Sequence, residues 1–237
     1  MAVPFTQVSL FAALLCGRYG GVVSVREIRA FGNLAIATMD RLDGEVVMVD
    51  GVVYQMRADG TVRRPADDES VPFATIAAFV PERVAELDAM ESFSDFERRM
   101  DALAPDVNVP IAVRVSGSFS RMRVRSVRRQ DRDGVGLAAL ADGATKFELA
   151  DTRGELVGFR LPGYLRGINA PGWHLHYIDG ERRRGGHVIN FCMESGRAEL
   201  CAGGEFRLRL PADPAALAGL DLSRDRSAEL RKAEAER

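Results

Sequence analysis

Residues 172–191 read GWHLHYIDGERRRGGHVINF, and this stretch holds all three histidines of the 237-residue chain. Alternate side chains of a β-strand point to the same face of a sheet. His174 and His176 are therefore predicted to share one face of a strand. The residues of the opposite face would be Trp173, Leu175 and Tyr177.

The residues after this strand predict a turn that brings the third histidine back to the first two. Residues 178–186 are rich in glycine and charge, and residues 188–191 are suited to a returning strand that starts beside His187. Three imidazoles with an open coordination position are typical of catalytic zinc sites, whereas structural zinc sites are closed. Iron(II), manganese, nickel and copper also bind imidazole, so zinc is favoured only because it is the most frequent occupant.

A single histidine is more often a surface or core residue than a metal ligand, so the grouping carries the argument. All the histidines fall in one predicted hairpin, and the first two are in phase on a strand. This arrangement favours a metal site over three unrelated side chains.

Composition excludes several classes of protein. Hydrophobic residues make up 46% and charged residues 28% of the chain, which is ordinary for a globular protein with a core. The formal net charge of -2 predicts neither nucleic acid nor an anionic membrane as a partner. Three cysteines without CxxC spacing predict free thiols and a cytoplasmic location. Residues 8–16 are apolar but too short to span a bilayer, and they predict a buried helix.

Short runs of alternating or apolar residues predict a strand-dominated α+β fold. We expect two mixed or antiparallel β-sheets, or barrel-like sheets, with few short helices. The predicted strands are 34–39, 44–49, 51–56, 73–80, 109–119, 121–127, 152–159, 199–200 and 206–210, in addition to the hairpin. The predicted helices are 8–16, 25–30, 94–103 with Ser94 as N-cap, and 227–237. We expect two regions, an N-terminal α+β region (1–108) carrying Glu45 and a C-terminal β-rich region (109–237) carrying the histidines and a tail.

A metal site also needs a proton-transfer group and a group that binds substrate charge. Glu45 follows a tight Asp-Gly turn at the start of a strand, although by itself it could be an ordinary solvated residue. Arg121, Arg123 and Arg125 alternate along a predicted strand. They could form a solvated face, a phosphate-binding patch, or a stripe in which one arginine turns inward to bind a carboxylate.

These segments resemble the α-acetolactate decarboxylase family over nearly the whole chain. The most specific motifs are Pro-Gly-Trp-His-Leu-His at 171–176 and Gly-Gly-His at 185–187. Leu-Asp-Gly-Glu at 42–45 and Arg-Val-Arg-Ser-Val at 123–127 agree with the family as well. The resemblance implies a zinc site at His174, His176 and His187, catalytic residues Glu45, Arg125 and Glu234, and substrate binding by Thr38 and Arg125. Glu236 is the alternative to Glu234.

The function implied by the resemblance is metal-dependent decarboxylation of 2-acetolactate to acetoin and carbon dioxide, by an enzyme that could be a homodimer. Arg125 would bind the carboxylate, and Glu45 or Glu234 would deliver a proton to carbon. Two other hypotheses remain: a cupin-type dioxygenase with three histidines on redox iron, and a non-enzymatic zinc-stabilised module. The module would bind polyanions through the Arg121–Arg129 stripe in a salt-dependent way.

Overall fold

Strands are the predominant secondary structure, as the sequence predicts. The computed structural model describes residues 3–234, and the bounds below refer to that range. The helices are α1 (Phe11–Leu15), α2 (Val25–Phe31), α3 (Phe93–Leu103), α4 (Leu137–Ala141) and α5 (Ser227–Glu234). The strands of the first half are β1 (Val3–Val8), β2 (Val23–Ser24), β3 (Leu34–Thr38), β4 (Glu45–Val49), β5 (Val52–Met56), β6 (Val62–Arg63), β7 (Ser70–Val71), β8 (Phe73–Ala77) and β9 (Arg83–Leu87). Those of the second half are β10 (Ile111–Ser126), β11 (Thr145–Leu161), β12 (Gly172–Asp179) and β13 (Gly185–Arg209).

One large sheet of eleven strands organises residues 3–234, beside a two-stranded sheet of β2 and β7. The strand order of the large sheet is β10-β11-β12-β13-β1-β8-β3-β4-β5-β6, with β9 attached to β13. β10 also pairs with β13, so the last four strands close into a ring of hydrogen-bonded neighbours. The architecture confirms the predicted strand-dominated α+β fold with barrel-like closure.

The inner face of this ring is filled by apolar side chains and closed by α3. Phe93, Phe96 and Met100 lie on one stripe of the helix and are buried. They pack against the residues that alternate along β12, namely Trp173, Leu175 and Tyr177. Burying this many aromatic side chains is a large favourable term in folding. It also determines which face of β12 is left for the histidines.

Strand β1 is a central element that the sequence did not predict. It pairs with β13 on one side and β8 on the other. Two of its residues, Thr6 and Gln7, are polar and buried, and the Gln7 side chain accepts a hydrogen bond from Thr75 at 3.0 Å. A strand whose buried positions include polar residues lacks the apolar pattern from which strands are predicted. The helix predicted at 8–16 is correspondingly shorter, because residues up to Val8 belong to β1.

Three other details of the prediction were wrong. The cap of α3 is Ser92 rather than Ser94, because the Ser92 hydroxyl accepts from the Asp95 amide three residues on. The strands predicted at 109–119 and 121–127 form one strand, β10. Pairing to β11 and β13 carries the chain through residue 120, with register shifts where we expected a break. For the same reason 199–200 and 206–210 both lie within β13.

The predicted division at residue 108 stays a prediction. Hydrogen bonds between β1 and β13 join the two regions into a common sheet. Among residues 3–234, no helix is long and apolar enough to cross a membrane.

Candidate active site

Strand register brings the three histidines together on one face of the hairpin. His176 of β12 lies directly opposite His187 of β13, and His187 lies opposite Arg125 of β10. Directly opposed residues in antiparallel strands have Cβ atoms about 5 Å apart. The ladder therefore places two imidazoles and a guanidinium side by side.

The ring geometry is that of a ligand cluster. Ring centroids of the three histidines are 4.8 to 5.6 Å apart. His174 Nε2 and His187 Nδ1 are 3.0 Å apart, and one nitrogen from each ring lies within 4.8 Å of the others. Nitrogens on a tetrahedral zinc with bonds of about 2.1 Å are roughly 3.4 Å apart, so small ring rotations suffice to converge on one ion.

His176 has the protonation state that a metal ligand needs. Its Nδ1 lies 2.7 Å from the carbonyl oxygen of Val46, and a carbonyl only accepts, so Nδ1 carries the hydrogen. The lone pair is thus on Nε2, which is buried and has no hydrogen-bond partner among residues 3–234. Burial, and then the neighbouring His174, lower the pKa of His176 to about 3. A neutral imidazole oriented by a backbone acceptor is a typical metal ligand, so these residues fit the metal that the motif implies.

Glu45 enters the site from a distant part of the large sheet, at the first position of β4. Its Oε2 lies 3.6 Å from His176 Nε2. Burial raises the pKa of Glu45 to about 7, although the charge of Arg125 acts in the other direction. Gly44, with φ at +84°, makes the turn that precedes it. A Cβ on Gly44 would collide with the carbonyl oxygen of Met56, so the turn requires glycine.

Thr38 supports this turn. It lies opposite Glu45 in the β3–β4 ladder, and its hydroxyl donates to the Gly44 carbonyl at 2.8 Å. Thr38 also lines the cavity described below, and its role in substrate binding stays a prediction. Because its proton is used in the bond to Gly44, the Thr38 hydroxyl has only its oxygen lone pairs left for a further contact.

Arg125 is the one arginine of its stripe that turns inward. It is 5% exposed, whereas Arg121 is exposed and Arg123 lies 3.9 Å from Glu148 at the surface. A register shift between Arg123 and Val124 interrupts the regular alternation along β10. The structure therefore favours the third alternative for this stripe, an inward guanidinium.

The contacts of Arg125 divide its guanidinium between two tasks. Nη2 donates to the carbonyl oxygen of Ala233 near the end of α5. Nη1 is buried and has no hydrogen-bond partner within the described part of the chain. One arm thus bonds to the helix, and the other remains a buried donor without a partner in the described residues.

Helix α5 carries Glu234 to the histidines. Glu234 Oε2 lies 3.9 Å from His174 Nδ1 and 3.8 Å from His187 Nε2. Ala233 is 1% exposed and Leu230 is partly buried, so α5 docks through these two apolar side chains. Glu236, the alternative to Glu234, lies outside the described residues.

All of these groups except His187 line one cavity, which lies between strands β3, β4, β10 and β12 and helices α1, α4 and α5. Its polar end is formed by Thr38, Glu45, Arg125, His174, His176 and Glu234. Its apolar wall is formed by Phe11, Leu14, Ile36, Ala37, Leu42, Phe73, Val127, Leu137, Ala141 and Ala233. Sequence reasoning missed this wall, although the apolar run of α4 at 137–141 could have indicated part of it. A cavity with polar groups at one end and apolar walls suits a small anion with methyl groups.

Comparison with known proteins identifies the family. The sequence profile of the family described as "Alpha-acetolactate decarboxylase" matches residues 5–224. The matched range contains the three histidines, Glu45 and Arg125, but not Glu234. Among proteins named alpha-acetolactate decarboxylase, that of Methanosarcina mazei is 39% identical over 206 residues, which cover 87% of this chain and 72% of that protein. That of Bacillus subtilis is 34% identical over 205 residues, covering 86% of this chain and 80% of that protein.

A solved structure of the same family has the same fold as this chain. The crystal structure of alpha-acetolactate decarboxylase from Bacillus subtilis strain 168 superimposes with a TM-score of 0.94 at 31% identity. The superposition covers 98% of this chain and 99% of that chain. The chain therefore belongs to the alpha-acetolactate decarboxylase family.

Proposed function

We propose that this chain converts 2-acetolactate to acetoin and carbon dioxide at a zinc centre held by His174, His176 and His187. The observation that carries the proposal is a cluster of three imidazoles at the edge of one cavity, which two carboxylates and an inward guanidinium also line. Family membership supports a decarboxylase over the dioxygenase and over the non-enzymatic module.

The decarboxylation requires an acceptor for the electron pair of the bond that breaks. 2-Acetolactate is a β-keto acid, so breaking the bond to the carboxylate releases carbon dioxide and moves two electrons toward the ketone oxygen. Zinc, when bound, supplies a Lewis acid for that oxygen and the neighbouring hydroxyl. Arg125 Nη1 is positioned to hold the carboxylate, and the apolar wall accepts the two methyl groups.

A proton must then reach the carbon that lost the carboxylate, and this step makes acetoin chiral. Glu45 Oε2 lies 3.6 Å from His176 Nε2, and Glu234 Oε2 lies within 4 Å of nitrogens of His174 and His187. Either carboxyl group can therefore reach a substrate bound at the cluster, and the face from which it delivers the proton determines the enantiomer.

The direct test is to quantify acetoin formed from racemic 2-acetolactate by the metal-loaded protein. We expect turnover without oxygen, loss of turnover after treatment with a chelator, and recovery on adding zinc. Metal analysis should give one zinc per chain. Failure to form acetoin would contradict the proposal, and oxygen-dependent consumption with bound iron would support the dioxygenase.

We also propose a homodimer in the cytoplasm without nucleic-acid or membrane partners. The free state of Cys16, Cys192 and Cys201 supports a reducing compartment. Light scattering of the purified protein tests the dimer.

A further inference from the structure

A carboxylate far from the histidines in sequence joins three segments that surround the cavity. Asp133 Oδ1 accepts from Arg41 Nη1 at 2.7 Å and from the Tyr19 amide at 3.3 Å. Its Oδ2 lies 3.9 Å from Arg18 Nη1. We call this group, with its neighbours in residues 17–19, 40–42 and 130–135, the Asp133 junction.

Further hydrogen bonds reinforce the junction. The Arg41 amide donates to the Tyr19 carbonyl at 2.8 Å, the Gln130 amide to the Arg41 carbonyl at 2.7 Å, and the Gly134 amide to the Gly17 carbonyl at 3.0 Å. The fully buried Tyr19 hydroxyl donates to the Val135 carbonyl. Burial, and then the charge of Asp133, raise the pKa of Tyr19, so its hydroxyl stays a donor.

The junction holds a turn that the chain would not adopt by itself. Arg41 has φ at 61° and Leu42 has φ at 53°. Residues other than glycine rarely adopt this left-handed conformation, and it persists where surrounding contacts impose it. Here the Arg41 side chain, amide and carbonyl are each bonded to another segment of the junction. The strained turn lies directly before Asp43, Gly44 and Glu45.

Each segment of the junction continues into a part of the cavity. Residues 17–19 follow α1, which contributes Leu14 to the wall. Residues 40–42 contribute Leu42, which is 2% exposed, and lead to Glu45. Residues 130–135 connect Val127 to α4, which contributes Leu137 and Ala141. The Asp133 junction thus joins three walls of the cavity.

We propose that Asp133 is a positioning residue. It holds the apolar wall formed by α1, the turn at 40–42 and α4 against the substrate, and it fixes the position of Glu45 relative to the substrate. Asp133 acts through Arg41 and Tyr19, since it does not line the cavity itself. The inference rests on the proposed function for its kinetic consequence, but the junction itself can be tested without turnover.

The test compares Asp133→Asn with Asp131→Asn in the full, metal-loaded chain. Asp131 is exposed, lies two residues away, and makes no ion pair within residues 3–234, so it is the matched control. We expect Asp133→Asn to lower kcat/KM by about tenfold or more with a raised KM, because small displacements of substrate-contacting groups are costly. Asp131→Asn should stay within about twofold of the parent protein.

Hydrogen exchange provides a readout independent of activity. In Asp133→Asn, amides of residues 39–44 and 128–141 should exchange faster, while β12 exchanges as before and zinc remains at one per chain. The double variant Asp133→Asn/Arg41→Gln should lose no more kcat/KM than Asp133→Asn alone, because both substitutions remove the same ion pair between Arg41 and Asp133. Arg41→Gln alone keeps the hydrogen bond from the Tyr19 amide to Asp133. It replaces Asp133→Asn as the test variant if Asp133→Asn fails to fold.

The outcomes separate the two proposals. Unchanged exchange in residues 39–44 and 128–141, or an unchanged KM in an enzyme that turns over, would overturn the role of Asp133. Loss of activity with unchanged KM and a reduced folded fraction would also overturn it, since that is the effect of general destabilisation. If the parent protein forms no acetoin, the proposed function fails, and the exchange experiment still decides the junction.

Discussion

The two sides of the cavity are held in place by different means. The histidine side consists of β12 and β13, whose positions follow from backbone ladders with β10 and β11 and from the core against α3. The helical side consists of α1, α4, α5 and the turn before β4, which meet through an apolar cluster, isolated backbone hydrogen bonds and side-chain contacts. Examples are Arg125 with the Ala233 carbonyl, and Lys232 with Asp142 at 2.7 Å.

This difference separates metal binding from turnover. A ladder loses little when one side chain changes, because its hydrogen bonds belong to the backbone. A short helix depends on its tertiary contacts, because eight residues are too few to be stable alone. We expect changes on the helical side to lower activity while leaving the metal in place.

The largest effect is expected for His176→Ala, which removes a ligand from the ladder side. Both bound zinc and acetoin formation should be lost while the chain stays folded. Tyr177→Phe is the control on the opposite face of β12. It removes the 2.8 Å contact with Thr152, should cost about 1 kcal/mol of stability, and should retain zinc. A His176→Ala protein with one zinc and normal turnover would remove the central proposal.

The second prediction concerns α5. Deleting residues from Glu229 onward should abolish acetoin formation but leave zinc binding and the main thermal transition largely intact. Glu234→Gln should lower kcat by roughly 100-fold or more, the scale of proton transfer by a positioned group, with the helix still present. Glu236→Gln is the matched control and should be nearly silent. Normal activity of both the truncated chain and Glu234→Gln would leave Glu45 as the proton donor.

A smaller effect is expected for Arg125→Lys. An ammonium group cannot hold both the Ala233 carbonyl and a carboxylate in the geometry of a guanidinium. We expect a loss of roughly 2–3 kcal/mol of transition-state stabilisation, measured from kcat/KM. Arg121→Lys and Arg128→Lys should matter far less, since both side chains are exposed. Equal losses in all three variants would indicate a diffuse basic patch instead.

The smallest effect tests the turn before Glu45 through stability. Gly44 and Gly51 both have positive φ, at +84° and +76°, but only Gly44 has backbone where a Cβ would lie. Gly51→Ala should lower the free energy of unfolding by about 1 kcal/mol. Gly44→Ala should lower it by roughly 2–3 kcal/mol, because overpacking is added to the strain. Urea denaturation of both variants checks the order, and equal losses would show that the turn adapts.

Alternation along a strand explains why so much of the histidine side could be predicted. A period of two places His174 and His176 on one face whatever the rest of the fold does. Resemblance to a family added Glu45, Arg125 and Glu234, which no local pattern connects with the histidines. The structure brings all of them to one cavity, but the role of each remains a proposal.

The local sequence pattern failed to predict strands that contain buried polar residues. It also failed where pairing with neighbouring strands continues a strand through an apparent break. β1 was missed because Thr6 and Gln7 are paired inside the protein, and β10 was divided because pairing on both sides could not be foreseen. The Ser92 cap depends on a bond to Asp95, and nearby serines offered the same chemistry.

The sequence by itself determined the three-histidine hairpin, because side-chain direction in a strand follows from covalent geometry. It also determined the strand-dominated class, since short alternating runs between turn residues leave few other folds. Tertiary structure alone decided the rest: that Val46 orients His176, that Arg125 bonds to α5, and that Asp133 joins three walls of the cavity. Those contacts connect residues about 90 to 130 positions apart in sequence. They form only when the complete fold brings the two residues together, so no local sequence pattern can predict them.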